Sequence, residues 1–456
     1  MPFISRNPYT EEVIREYPTD DWETLEERLA GARYAFLHWR ETTVAERVRA
    51  LQVMARAFHK DTDDFAVEIT REMGKPIKQA RAEVQKCARL CEYLAENLES
   101  MLQPIEVETD ARKSYIAFQP LGVILAIMPW NFPFWQVARV AIPAIAAGNV
   151  VVLKPAPNTP TCARAFKHAL DRIHFDYSLF YLAFVETEQV PDLIRHPLVS
   201  AVTFTGSTRA GREVARIAGE SLKKCVLELG GSDAAIILPD ANLDHTIAQC
   251  IFGRYQNTGQ SCIAMKRFIV DSLVYDEFVE RFVEQSRALR MGDPMDEETD
   301  IGPLARADLR ENLHRQVQES IEMGAEVHLG GAIPEGRGYF YPPTVLTNIS
   351  PMMPVWTEET FGPVAPIMPV NSRYEAVQVA NATRYGLGAS VFTENLRLGE
   401  DIARNRLEVG SAFVNHYVFS DPRLPFGGVR ESGFGRELSV FGLREFVNIK
   451  TVYISE

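Results

Sequence analysis

An α/β protein with two successive parallel-sheet domains is what this sequence predicts, and three observations predict it. The chain has 456 residues, more than one ordinary core accommodates. From residue 123 onward, short apolar strand-like runs alternate with helix-like ones. Strands that alternate with helices form parallel sheets with crossover helices. A second series of the same kind runs from about 243 to 416.

Residues 21–102 read as several amphipathic helices. Leu25, Leu29, Ala32 and Phe36 repeat at helical spacing, as do Val48, Leu51, Met54, Ala55 and Phe58. The first strand series is 123–128, 150–153, 201–204, 225–229 and 234–238. The second is 267–270, 326–329, 365–370, 388–392 and 411–415. The stretch 115–153 carries only Arg139 as a charge and has the length of a membrane span. Pro120, Pro129, Pro133 and Pro143 interrupt it, so two buried strands around a turn and a helix fit it better. After a helical run over 436–444, residues 445–454 read as a last strand, which must join an earlier sheet or another subunit.

Composition narrows the function. With 46% hydrophobic and 24% charged residues, the chain has the make-up of a soluble globular protein. A net charge of −13 argues against general binding to nucleic acid or an anionic membrane, though it leaves room for a local basic pocket. Six cysteines in a chain of this length do not make a disulfide framework. Cys87 and Cys91 share a helix face and read as a core or surface pair rather than a metal site. The amino end lacks a basic stretch followed by an apolar one, so the cytoplasm is the expected compartment.

The motifs that carry chemistry fall at strand ends and turns. Asn131, in Pro129-Trp130-Asn131-Phe132-Pro133, offers an amide to a developing oxyanion, or else caps the next helix. Lys154 leaves the second strand, where it either meets ribose hydroxyls or a phosphate or is solvated. Gly206 and Ser207 form a glycine turn before a helix, a geometry that holds phosphates; the fuller glycine fingerprint is absent. Glu228, followed by Leu229-Gly230-Gly231, is a general-base candidate or a paired structural glutamate. Cys262, in Gly259-Gln260-Ser261-Cys262, sits in a small polar turn between a helix-like and a strand-like run. A nucleophilic thiol needs such access and backbone N–H groups; a structural one is buried among apolar neighbours. Glu359 precedes Phe361-Gly362-Pro363, and Pro425-Phe426-Gly427-Gly428 opens a glycine-dense segment.

In this order and at these separations, the motifs resemble the aldehyde dehydrogenase superfamily over nearly the whole chain. The branch resembled is that of the short bacterial succinate-semialdehyde dehydrogenases. The resemblance implies NAD(P)-dependent oxidation of an aldehyde to an acid. Cys262 is the implied nucleophile, Asn131 the oxyanion donor and Glu228 the base, and no metal is needed. It implies cofactor contacts from Met128, Pro129, Trp130, Lys154, Pro157, Gly206, Ser207, Leu229, Gly230, Glu359 and Phe361. NAD-using relatives carry a glutamate where this chain has Pro157, so use of both cofactors is expected, with a slight lean to NADP.

Arg139, eight residues after Asn131, is the expected carboxylate anchor, with an internal ion pair as the alternative. Ser261, Ser420, Trp135 and Phe426 complete the substrate set, and Phe132 is a further candidate for the pocket wall. The implied domains are 1–112 with 130–229 for the cofactor, 230–420 for catalysis, and a β element from 113–129 with 434–456 that joins subunits into a dimer or tetramer. Another semialdehyde or aliphatic aldehyde, CoA acylation, and a family member without turnover are the competing readings; an intact Glu228 argues for hydrolysis by water. Residues 175–190 lack the glycines the family usually carries there.

Overall fold

The computed structural model describes residues 3–173 and 175–456. Four helices, Trp22–Trp39, Val44–Lys60, Thr62–Met73 and Ile77–Leu102, account for the amphipathic amino-terminal region. Two begin with side-chain caps, from Asp21 and Thr43; the Thr43 cap closes a full capping box with Glu46. Cys87 and Cys91 are buried on Ile77–Leu102 as part of the core.

The first sheet has six strands in the order Gly433–Phe434, Lys224–Glu228, Val199–Thr205, Val123–Ile127, Val150–Lys154, Phe180–Leu182. All pairs are parallel except Gly433–Phe434, which runs antiparallel to Lys224–Glu228. The second sheet has seven, in the order Glu326–Leu329, Thr344–Thr347, Val364–Val370, Met265–Asp271, Asp233–Ile237, Gly388–Phe392, Ser411–Val414. Its only antiparallel pair among the described residues is at the Glu326–Leu329 edge. Ala234 and Ile236 face one core of this sheet and Ala235 and Ile237 the other. Both faces are covered, which is why its central strands read as unbroken apolar runs.

A third sheet joins Val447–Ile454, Lys113–Pro120 and Ile105–Glu106, all antiparallel. The final strand therefore does pair within its own chain. One expected boundary moves. Val123–Ile127 is a central strand of the first sheet, not part of a 113–129 β element, because both its edges are taken by parallel neighbours. Gly433–Phe434 likewise ends in the first sheet, and Ile105–Glu106 in the third. The stretch 115–153 resolves into strands around the helix Trp135–Ala146. Among the described residues, no helix is long and apolar enough to cross a membrane.

In the glycine-poor stretch, Phe175 stacks on Tyr177 at 5.4 Å and lies against Trp39, and Phe180–Leu182 closes the sheet edge.

Candidate active site

The first sheet's carboxyl edge faces the second sheet's amino edge. Ile127 pairs with Lys154 on one side and Phe204 on the other, and Thr205 pairs with Glu228. The residues expected at a cofactor therefore line one row of strand ends: Met128, Lys154, Gly206 and Leu229. Across the seam, Cys262 precedes Met265–Asp271 and Glu359 precedes Val364–Val370. Gly230 and Gly231 let the edges meet. A Cβ on Gly231 would lie 2.6 Å from the Cys262 carbonyl oxygen, and one on Gly230 would lie 2.5 Å from a Glu359 carboxylate oxygen.

The Cys262 loop is heavily braced. Asn257 and Thr258 both adopt left-handed backbone, φ +55°, in front of Gly259. Non-glycine residues hold that conformation only when their surroundings enforce it. Arg254, fully buried, donates to the carbonyls of Gly259 (3.0 Å), Met265 (3.1 Å) and Gly362. Lys266, also fully buried, donates to the carbonyls of Ser261 (2.9 Å) and Cys262 (2.6 Å) and lies 3.5 Å from Glu359. Asn131 Nδ2 donates to the Gln260 carbonyl at 3.1 Å and keeps a second N–H, while the Asn131 backbone carbonyl accepts from Asn257 Nδ2 at 2.8 Å. Asn131 does not cap the following helix. Glu83 does, accepting from the N–H groups of Phe134 and Trp135 at 2.9 Å each.

Cys262 is partly exposed to a cleft of about 900 Å³. Protein packed around its sulfur pushes the thiol up to about 12, with Arg139 and Lys266 pulling the other way. The cleft brings together Phe132, Trp135, Arg139, Ser261, Cys262, Ser420 and Phe426, the whole expected substrate set. Arg139 is not free in it. Its Nε lies 2.7 Å from Glu437, an Nη donates to Gln136, and its guanidinium covers Phe426. The internal ion pair weighed against the anchor role is thus present, and Arg139→Leu would strand a buried carboxylate.

Glu228 is buried, and neither of its oxygens has a hydrogen-bond partner among the described residues. Desolvation first, then the Glu437 charge, raise its pKa well above the usual carboxylate range, against the pull of Arg139 and Arg436. A Cβ at Gly427 would lie 2.7 Å from its Oε1, so the glycine-dense segment leaves room for this carboxyl group.

The first edge fits a dinucleotide. Lys154 is buried rather than solvated, lies over the Phe3 ring at 5.7 Å, and burial lowers its pKa to about 8. The Thr205 hydroxyl is buried without a partner among the described residues. Ser207 caps the helix Thr208–Glu220, whose first N–H groups open at the strand end. The Pro157 carbonyl accepts from Ile4 N–H, so the amino-terminal strand walls this side. Glu359 accepts from Gly231 N–H at 3.0 Å, and Phe361 packs edge-on to Trp130, which follows Pro129, at 5.7 Å. Sequence reasoning missed Arg254, Lys266, Glu437 and Lys86. Three of these are fully or nearly buried charges in otherwise ordinary helix, strand or loop contexts, and only their spacing to Cys262 or Gly427 hinted at a role.

Comparisons with known proteins point to one family. Residues 2–452 match the Aldehyde dehydrogenase family. The chain is 46% identical to succinate semialdehyde dehydrogenase (NAD(P)+) Sad of Escherichia coli K12, over 99% of this chain and 97% of that protein. It is 44% identical to succinate-semialdehyde dehydrogenase (NADP(+)) 1 of Mycobacterium tuberculosis H37Rv over the full length of both. The crystal structure of succinic semialdehyde dehydrogenase from Streptococcus pyogenes in complex with NADP+ superposes with a TM-score of 0.97 at 37% identity, covering all of each chain.

Proposed function

The chain belongs to the aldehyde dehydrogenase family, and from that premise we propose that it oxidises succinic semialdehyde to succinate with NADP or NAD. The observation that carries this reading is the seam itself: an accessible thiol at one sheet's amino edge, and an unpartnered carboxyl group at the facing carboxyl edge.

The Cys262 thiol gives its proton to water in the cleft and its sulfur bonds to the aldehyde carbon, the carbonyl π pair moving onto oxygen. The free N–H of Asn131 and the backbone N–H of Cys262 hold the oxyanion; one such donor lowers the barrier by roughly 3–4 kcal/mol. When bound, the nicotinamide cofactor supplies the hydride acceptor. Loss of hydride leaves a thioester on Cys262. Ionised Glu228 takes a proton from water, which hydrolyses the thioester and frees the acid. Because Glu228 rests neutral at low pH, hydrolysis quickens as pH rises.

Lys154, Ser207 and Glu359 bind the cofactor. Pro157 offers no carboxylate to repel a 2′-phosphate, which supports use of both cofactors with a lean to NADP. The third sheet joins subunits into a homodimer or homotetramer. Its edge strand Val447–Ile454 exposes Ile449, Tyr453 and Ile454, the kind of free edge that another copy covers. A reducing cytoplasm suits the unpaired cysteines and keeps Cys262 a thiol.

The test is NAD(P)H absorbance with succinic semialdehyde and propanal, each with both cofactors. The expected result is a kcat/KM for succinic semialdehyde at least about tenfold above propanal, where each factor of ten is about 1.4 kcal/mol. Equal values would overturn the substrate, and activity with NAD alone would overturn the cofactor reading.

A further inference from the structure

Four cations line the substrate cleft, and two of them are paired. Lys78 pairs with Asp300 at 2.8 Å, Arg139 with Glu437, and Arg89 is exposed to solvent. Lys86, on Ile77–Leu102, is half-buried and, among the described residues, has no carboxylate within ion-pair distance. Its ammonium instead donates to the Ser420 hydroxyl at 2.8 Å and lies 4.4 Å from the centre of the Trp135 ring.

Ser420 is buried and accepts a second hydrogen bond, from Trp135 Nε1 at 2.9 Å. A hydroxyl has two lone pairs and one proton. Both lone pairs are filled, so the proton turns to an acceptor that no described residue supplies. Two of the three N–H donors of Lys86 are likewise unspent. One O–H and two N–H donors around a positive charge, in the cleft that Cys262 opens on, make a site for a small anion.

We propose that Lys86, with the Ser420 hydroxyl, binds the free carboxylate of the substrate and so sets the preference for a charged aldehyde. This rests on the semialdehyde reading above. Arg139 has a different part: through Glu437 it steadies the wall of the cleft and contributes field.

Burial lowers the Lys86 pKa to about 7, with Arg139 and Arg89 acting in the same direction. Asp421 and Cys87 act against it. Asp421 is itself paired with Arg423 at 2.6 Å. A carboxylate docking on Lys86 favours its protonated form. Above pH 7 the free enzyme loses that proton, so binding of a charged aldehyde weakens as pH rises, and binding of an uncharged one does not.

The experiment compares succinic semialdehyde with butanal in the wild type, Lys86→Met and Lys86→Arg, across pH 6 to 9 on the full-length protein. In Lys86→Met the KM for succinic semialdehyde is expected to rise about ten- to a hundredfold, with butanal kinetics within about threefold of the wild type. Lys86→Arg restores most of the loss. In the wild type, the ratio of kcat/KM for the charged over the uncharged substrate falls as pH passes 7, and in Lys86→Met it is flat. A preference for succinic semialdehyde that survives in Lys86→Met, or a wild-type ratio that does not move with pH, overturns the assignment of Lys86 alone. A wild type without that preference overturns the substrate reading and this inference with it.

Discussion

Cys262 and Glu228 lie on the two sides of one seam and are held in opposite ways. The cysteine's loop is braced by two buried cations, three left-handed residues and an asparagine pair. Among the described residues the glutamate has no hydrogen bond to either oxygen, and Gly427 leaves room beside it. The difference separates two chemical needs. A nucleophile in a covalent mechanism must stand at one point relative to its oxyanion donors. A base that acts after the covalent step must reach water and change protonation state, and a fixed partner would hold it in one.

The contrast breaks most completely at the nucleophile. Cys262→Ala is expected to lower kcat by at least about 10⁴-fold while cofactor affinity, followed by tryptophan fluorescence, survives. Full activity in that variant would remove the covalent mechanism.

Glu228→Gln is the next largest test, and it works on both activity and stability. Rapid-quench kinetics should show thioester hydrolysis slowed by about 10²–10⁴-fold. Folding stability should move the other way. The raised pKa means the folded state holds the Glu228 proton more tightly than the unfolded chain does. That stabilisation is complete below the ordinary carboxylate value of 4.5 and is lost as pH rises through the folded value. The glutamine variant escapes the loss, so its Tm should exceed the wild type's by a margin that grows with pH across that window. A margin independent of pH would mean that Glu228 is not held neutral by burial.

The bracing itself is tested by Arg254→Met, which leaves the Gly259, Met265 and Gly362 carbonyls without their donor. Chemical denaturation should show a loss of about 2–4 kcal/mol, with kcat falling alongside. A stable variant of normal kcat would show that the left-handed turn stands unaided. The smallest effect is expected at the cofactor edge. Lys154→Met should raise KM for NADP by about tenfold, one charge-assisted contact, and change KM for NAD less. Equal shifts would place Lys154 at the shared ribose hydroxyls and not at a phosphate.

Much of this was legible in the linear chain. The strand 388–392 reads to the residue, and the motifs at 131, 228, 262 and 359 all come to the seam. Glycines, prolines and apolar runs are local signals. Phe180–Leu182 and Thr344–Thr347 went unread, because strands this short take their identity from the neighbour they pair with.

Arg139 marks the division most clearly. Its residue type and distance from Asn131 identified a cation in the substrate cleft, and it is there. Whether that charge is free was a separate matter. It is answered by Glu437, which lies almost three hundred positions away along the chain and 2.7 Å away in space. Lys86 shows the converse: an unremarked lysine on a helix face gains its meaning from Ser420. Order, periodicity and turn chemistry are properties of neighbours in sequence, so the chain alone carried the fold and the candidate reacting groups. Pairing and burial belong to neighbours in space, and only the packed molecule decided which charges stay spent and which stay available.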